Sequence, residues 1–98
     1  MGGEAEKTQT HVVVTVLGTD RTGIVAAVAT SLASCGANID DIRQNVLEGI
    51  FSMTMLVTLD EEVATFDEVQ RSLEEAGRGL GVEVRVQRED VFTYMYSV

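Results

Sequence analysis

Hydrophobic residues along this chain follow two different spacings in turn, which predicts a succession of strands and helices. Residues 11–17 are almost all valine, leucine or threonine, a composition typical of a strand buried on both faces. From Gly23 to Cys35 the apolar residues form one stripe at helical spacing. Gly36 follows, and its freedom to adopt a left-handed conformation predicts the end of this helix.

The middle of the chain has the pattern of a hairpin. Residues 37–47 form a strand whose apolar residues are irregularly spaced, and a bulge near Asp40 and Asp41 would reconcile them. Residues 48 and 49 are Glu-Gly, a suitable two-residue turn. Residues 50–59 then alternate cleanly between apolar and polar, as in a strand with one buried face.

The last third of the chain predicts one more helix and one more strand. Thr65 and Glu68 match a capping box, and we expect the helix that follows to end at Gly77. Residues 82–87 alternate as a half-buried strand. Residues 90–98 have apolar residues at the spacing of one or two helical turns.

This order of elements predicts an α+β fold, a ferredoxin-like βαββαβ sandwich. It has a four-stranded antiparallel sheet with both helices on one face and a short helical tail at the C-terminus. We expect a flexible tail over residues 1–10 and a single domain over residues 11–98. The face without helices should carry four apolar side chains, those of Val13, Leu17, Ile50 and Leu56. A second copy of the chain is the simplest partner for such a face, so we expect a homodimer.

Charge and composition exclude several classes of function. The 98 residues carry a formal net charge of −9, which would repel nucleic acid and anionic membranes. Polar residues interrupt every apolar stretch well before the roughly 20 residues that a membrane-spanning helix needs. Cys35 is the only cysteine, which rules out an internal disulfide and predicts a cytoplasmic protein.

Two segments resemble the ACT domain family. Residues 16–25, Val-Leu-Gly-Thr-Asp-Arg-Thr-Gly-Ile-Val, resemble the turn between the first strand and first helix of ACT domains, an Asp-Arg-Pro-Gly-like turn with a glycine at its end. Residues 35–41, Cys-Gly-Ala-Asn-Ile-Asp-Asp, resemble the Gly-x-Asn-Ile segment that begins their second strand. The resemblance covers residues 11–98, and it is strongest to free-standing single-ACT-domain proteins of uncharacterised role, similar to the ACT repeats of the glycine-cleavage regulator. Thr22 stands where many relatives have proline, so the turn is less rigid here.

The resemblance implies a regulatory module that binds a small amino acid or similar carboxylate at a dimer interface. The ligand-binding residues that it implies are Asp20, Arg21, Thr22, Gly23, Ile24, Asn38 and Ile39. The first amides of a helix lack intrahelical partners and attract carboxylate or phosphate, while a glycine lets a ligand approach the backbone. Asn38, from the same or the facing chain, offers both a donor and an acceptor. The structural alternatives are a plain tight turn at Gly23 and an Asn38 that binds its own backbone.

Other chemistry has little support in the sequence. Asp20, Asp40 and Asp41 could suggest a cation site, but such carboxylates more often cap turns, and Asp20 is well placed to cap the first helix. His11 has no second ligand at zinc spacing and Cys35 has no paired base, so we predict no metal, no cofactor and no catalytic residue. Two alternatives stay open: a protein-interaction module without a small-molecule ligand, and a small isomerase with Asp20 or Asp40 as base at an interface.

Overall fold

The computed structural model describes residues 9–89, which form strands and helices in the predicted order. The elements are β1 (Gln9–Thr19), α1 (Ile24–Ser34), β2 (Asn38–Leu47), β3 (Ile50–Asp60), α2 (Phe66–Leu80) and β4 (Glu83–Arg88). β1 begins two residues before its predicted start, because Gln9 and Thr10 also pair with β3. The helical turns predicted over residues 90–98 lie outside the described residues.

The four strands form one antiparallel sheet in the order β2-β3-β1-β4, which confirms the ferredoxin-like arrangement. Glu48 and Gly49 form the predicted turn between β2 and β3, with φ values of 52° and 81°. The predicted bulge is also confirmed, since the register of β2 against β3 shifts between Ile39 and Asp41. Because of this shift, Ile39 and Ile42 face the same side of the sheet although three positions separate them.

Both helices pack on one face of the sheet and bury a single core there. The sheet contributes alternate residues of its strands, and each helix contributes one stripe. The fully buried members are Val12, Val14, Val16, Met55, Val57, Leu59, Ile24, Val28, Leu32, Val69 and Leu73. Burying one such side chain contributes about 1.5–3 kcal/mol, so this alternation decides which face of each strand meets the helices. Neither helix within residues 9–89 is long and apolar enough to cross a membrane.

The start of α2 follows the prediction and its end does not. The backbone N–H of Glu68 donates to Thr65 Oγ1 at 3.2 Å, and the Glu68 side chain accepts from the Thr65 N–H at 2.8 Å. The prediction that Gly77 ends this helix is wrong, because Gly77 lies within the helix against β4. The helix continues to Leu80, and Gly81 provides the left-handed residue at its end, with φ 72°.

Two further predictions concern the end of α1 and the face of the sheet that carries no helix. Gly36 is left-handed after α1 as predicted, with φ 71°. Leu17, Ile50 and Leu56 are exposed on the helix-free face, but Val13, on a central strand of the same face, is only 1% exposed. The prediction of an open apolar face is therefore wrong for Val13. The prediction that β1 is buried on both faces is likewise wrong at Leu17, which is 52% exposed.

Candidate functional site

The loop between β1 and α1 gathers four predicted site residues at one end of the sheet: Asp20, Arg21, Thr22 and Gly23. The backbone N–H of Asp20 donates to the Gly49 carbonyl at 2.8 Å, which fastens the loop to the β2–β3 turn. Arg21 Nη1 donates to the Leu80 carbonyl at the C-terminal end of α2, at 3.3 Å. These contacts position the backbone of the loop while all four residues stay exposed.

The N-terminus of α1 has no side-chain cap. Gly23 is the N-cap residue, with φ 95°, and the first turn contains no acidic residue. The prediction that Asp20 caps this helix is wrong, because Asp20 lies three residues before the N-cap and its backbone is bound to the hairpin turn. α2 differs, since Thr65 and Glu68 close a complete capping box. The first amides of α1 therefore lack the cap that those of α2 have, and they carry the positive end of the helix dipole.

The space beside Gly23 is open, whereas the side chain that follows it is not available to a ligand. A Cβ on Gly23 would have no heavy atom within 4 Å. Ile24 is buried in the core, and Ile39 is half-buried against the same core. Ile24 can therefore offer a ligand only backbone groups, whereas part of the Ile39 side chain remains accessible.

Asn38 lies at the start of β2 in a polar network that no sequence pattern predicted. Asn38 Nδ2 donates to Asp40 Oδ1 at 2.6 Å, so the alternative in which Asn38 binds its own backbone is not the arrangement found. Thr58 Oγ1 donates to Asp40 Oδ2 at 2.6 Å and lies 3.1 Å from His11 Nδ1. Because the amide nitrogen faces Asp40, the amide oxygen of Asn38 remains as an acceptor.

The network also assigns the proton on His11. A hydroxyl has one proton, and that of Thr58 is donated to the carboxylate of Asp40. The Thr58 oxygen must therefore accept from Nδ1 of His11, which leaves Nε2 unprotonated in the neutral ring. The sheet register brings these residues together, since Asn38 pairs with Thr58 and Thr58 pairs with His11. The hairpin turn could have predicted the first pairing, but no local signal predicts the second.

Within one chain, the two halves of the predicted site lie at opposite ends of α1 and of the sheet. Gly23 begins α1 and Asn38 follows its end, so the 11 residues of this helix separate them, a length of about 16 Å. The strand pairing shows the same separation, because Thr19, before Gly23, pairs with Ile50 at one end of the sheet, while Asn38 pairs with Thr58 near the other end. One chain therefore brings residues 20–24 together but does not bring Asn38 to them.

Shallow cavities occur elsewhere on the surface of residues 9–89. One of about 170 Å³ lies on β2 and β3 around Arg43 and Thr54. Another of about 290 Å³ lies around His11 and Arg88, where β1 begins and β4 ends. Neither contains Gly23 or Asn38, so neither is the predicted site.

The alternative sites considered from sequence are not assembled. Asp20 lies at the opposite end of the sheet from Asp40 and Asp41, so these carboxylates do not form one cluster. Within residues 9–89 no three histidine, cysteine, aspartate or glutamate side chains are grouped to hold a metal ion. Cys35 is half-buried and packs against the core, as a small apolar residue does.

Known proteins share both the sequence pattern and the fold. The ACT domain family model matches residues 10–87. A UPF0237 protein of Methanocaldococcus jannaschii is 47% identical over 88 residues, which cover 90% of this chain and 98% of the relative. The structure of an ACT domain protein from Streptococcus pneumoniae matches with a TM-score of 0.74 and 37% identity, covering 85% of this chain and 93% of that one. The regulatory subunit of aspartate kinase from Thermus thermophilus, in its ligand-free form, matches with a TM-score of 0.62 and 28% identity, covering 80% of this chain and 51% of that one.

Proposed function

The chain belongs to the ACT domain family, and from that premise we propose that it is a regulatory module that binds a small amino acid or similar carboxylate between two copies of itself. The observation that carries the proposal is the uncapped N-terminus of α1 beside an open glycine. A protein that needs only a stable helix gains about 1 kcal/mol from an N-cap side chain, and α2 has one. The absence of that cap from α1 leaves room for a ligand.

The carboxylate of the ligand binds at the start of α1. The backbone amides around Gly23 and Ile24 donate to it, and the helix dipole favours its charge. The guanidinium of Arg21 donates to the Leu80 carbonyl oxygen, which is uncharged, and so adds positive charge beside the loop. Gly23 allows a close approach because it has no Cβ.

The amino group of the ligand binds at the start of β2. There Asn38 presents its amide oxygen, because its nitrogen is held by Asp40. The carboxylate of Asp40 also adds negative charge next to this oxygen. An ammonium group suits two oxygen acceptors, one of them charged, so this end of the site favours an amino acid over a plain carboxylate.

A second copy of the chain supplies the missing half of each site. Gly23 and Asn38 of one chain are separated by the length of α1, about 16 Å, which is longer than a small amino acid. A ligand that touches both subunits binds the dimer better than the monomer, and this linkage lets a metabolite control assembly. We place this module in the cytoplasm, where a protein with one free cysteine stays reduced.

Two other functions are less well supported. An isomerase with Asp20 or Asp40 as its base would need an acid or a second base beside that carboxylate. Asp40 instead accepts hydrogen bonds from Asn38 and Thr58, as a structural carboxylate does. An interaction module without a ligand agrees with the exposed apolar residues of β2 and would leave the α1 terminus without a role.

A thermal-shift screen of the twenty amino acids, their deaminated acids and common nucleotides tests the proposal. A ligand at a hundredfold excess over its Kd adds about 2.7 kcal/mol of stability. For a domain of this size the Tm should rise by about 10 °C or more. At least one amino acid should give a saturable shift without being consumed. If no compound shifts the Tm of the wild-type chain, the ligand-binding proposal is wrong and the interaction module takes its place.

A further inference from the structure

One residue on the helix-free face of the sheet is far more buried than its neighbours. Val13 lies near the middle of β1, and its side chain is only 1% exposed. On the same face Leu56, directly opposite Val13 on β3, is 39% exposed. Val13 does not belong to the core beneath the two helices, so neither helix accounts for its burial.

The side chains around Val13 shield its flanks and not its outer end. On this face His11 and Thr15 lie before and after it on β1, while Leu56 and Gln87 lie opposite it on β3 and β4. Side chains of a strand stand roughly perpendicular to the sheet, so these neighbours stand beside Val13. His11 and Leu56 are themselves exposed, which indicates that they do not fold over it. The outer end of Val13 is left to be covered by another segment.

The exposure of this face increases with distance from the end of β4. Arg88, the last residue of β4, pairs with Val12, so the chain leaves the sheet beside Val13. Leu56 is one strand further away. Leu17 lies at the other end of β4, opposite Glu83, and it is the most exposed of the apolar residues that we expected on this face. This gradient indicates a cover that begins where β4 ends.

We propose that the C-terminal segment of the same chain, residues 90–98, packs over Val13 and the adjoining part of Leu56. These nine residues lie outside the described part of the chain, and six of them are aliphatic, aromatic or methionine. Val91, Phe92 and Met95 recur at helical spacing, so a helix over this segment directs all three towards the sheet. The proposal goes beyond ligand binding, because it assigns an occupant to a face that the ligand does not use.

The segment is long enough to reach this part of the face. Val13 lies one strand, about 4.8 Å, from β4, and Leu56 lies two strands, about 10 Å, from it. Nine residues span about 14 Å as a helix and about 30 Å when extended. Residue 90 follows Arg88 by two positions, so little of this length is used before the segment meets the face.

Other occupants fit this face less well. Residues 1–8 also lie outside the described part of the chain, but Met1 and Ala5 are the only apolar residues among them. A second copy of the chain is not needed, because Val13 is already buried in a single chain. A face covered by residues 90–98 is not available to another chain.

The rate at which a thiol at position 13 reacts with a maleimide tests the cover in the full-length chain. Cys35→Ser removes the native thiol, and Val13→Cys introduces one, with Leu17→Cys as the control on the same strand and face. The thiol at position 17 should react at least about ten times faster, because reaction requires access to the thiolate. Adding Phe92→Asp should raise the rate at position 13 by at least about tenfold, since it opens the cover. Thr93→Asp, which adds the same charge on the other side of the segment, should not change that rate.

Equal rates at positions 13 and 17, or equal effects of Phe92→Asp and Thr93→Asp, overturn the proposal. Dilution distinguishes the chain's own segment from that of another copy. The rate at position 13 should stay the same over about a hundredfold dilution, because a contact within one chain does not depend on concentration. A rate that rises on dilution shows that another copy supplies the cover, and it also overturns the proposal.

Tyrosine fluorescence reports on the segment itself. The chain has no tryptophan, and both of its tyrosines, Tyr94 and Tyr96, lie within residues 90–98. The neutral quencher acrylamide should quench Phe92→Asp and the milder Phe92→Ala more strongly than the wild-type chain, while Leu17→Lys, at the far end of the face, should behave as the wild-type chain does. Circular dichroism of each variant checks that the rest of the domain stays folded. Equal quenching of the wild-type chain and both Phe92 variants contradicts a packed segment.

Discussion

Gly77 in α2 lies so close to β4 that a Cβ on it would stand 2.6 Å from Cγ2 of Val84 and 3.0 Å from the carbonyl oxygen of Val82. Atoms do not approach so closely without a shift in the structure, so the helix and the strand are in contact because residue 77 has no side chain. The glycine lies inside the helix although glycine disfavours helices. Its role is therefore the close packing of α2 on the edge of the sheet.

Gly77→Ala is expected to lower the free energy of unfolding, although alanine favours the helix by about 1 kcal/mol. Overpacking of a well-filled contact costs about 1–3 kcal/mol, which exceeds that gain. Gly79→Ala, in the same helix, is the matched control, since a Cβ on Gly79 would meet no heavy atom within 4 Å. Its free energy of unfolding should rise by up to about 1 kcal/mol. Urea denaturation measures both, and changes of the same sign would contradict the packing role of Gly77.

Thr65→Ala should destabilise the chain by about 1 kcal/mol, because it removes one half of the capping box of α2. Thr65→Ser retains the hydroxyl that accepts from the Glu68 N–H and should change the free energy of unfolding much less. Thermal unfolding followed by circular dichroism compares the two variants. Equal losses would show that the methyl group of Thr65, and not its oxygen, stabilises this end of the helix.

Glu61 links the ends of three elements. Its carboxylate accepts a hydrogen bond from Thr10 in β1 and one from the Phe66 N–H at the start of α2, and it lies 3.9 Å from Arg88 of β4. The hydrogen bond from Thr10 lowers the pKa of Glu61 most, partial burial opposes it, and the Phe66 amide and the Arg88 charge lower the pKa further. The net pKa lies below the usual 4.5. Folding therefore favours the ionised form of Glu61.

The lowered pKa of Glu61 predicts a pH-dependent contribution to stability. Because the folded chain binds this proton less readily than the unfolded chain, the contribution is present above the unfolded pKa near 4.5. It is lost as pH falls through the lower folded pKa. Glu61→Gln should therefore be less stable than the wild-type chain at pH 7, and the difference should shrink towards pH 3. Urea denaturation at several pH values measures it. Glu62→Gln removes an exposed neighbouring carboxylate and is the control for the loss of one negative charge.

The ligand site predicts a difference between two variants of glycines that both have a positive φ. Gly23 and Gly81 both have positive φ, 95° and 72°, and a Cβ on either meets nothing within 4 Å. Gly23→Val and Gly81→Val should both lower the Tm, because a branched side chain resists this conformation. Only Gly23→Val should abolish the shift produced by the ligand found in the screen, because only it fills the proposed site. Loss of the shift in both variants, or in neither, would argue against a ligand at Gly23.

Asn38→Ala distinguishes the contact to the ligand's amino group from the contacts to its carboxylate. It removes the amide oxygen proposed to accept from the amino group and leaves the amides of α1 unchanged. The shift given by the amino acid should fall, while any shift given by the matching deaminated acid should stay the same. Thermal-shift titration of both compounds measures this. An equal fall for both compounds would place Asn38 outside the amino subsite.

Local signals in the sequence determined the elements of this fold. The change from helical to alternating spacing located both helices and all four strands, and the irregular spacing before Asp41 located the bulge. Thr65 with Glu68, and Glu48 with Gly49, marked a helix start and a turn, because capping and turn formation involve only residues close in sequence. The order of these elements then left few topologies for the sheet.

The tertiary structure decided what depends on residues far apart in sequence. A glycine in a helical segment can end the helix or admit a neighbouring strand, and only the position of Val84 shows that Gly77 does the second. The contacts among His11, Thr58 and Asp40 exist because strand pairing aligns three separate segments. The same pairing places Gly23 and Asn38 at opposite ends of the sheet, which a motif in the sequence cannot reveal. The spacing of apolar residues along the chain indicates which face of a strand or helix a side chain occupies. The distance between two residues far apart in sequence depends instead on how the whole domain packs.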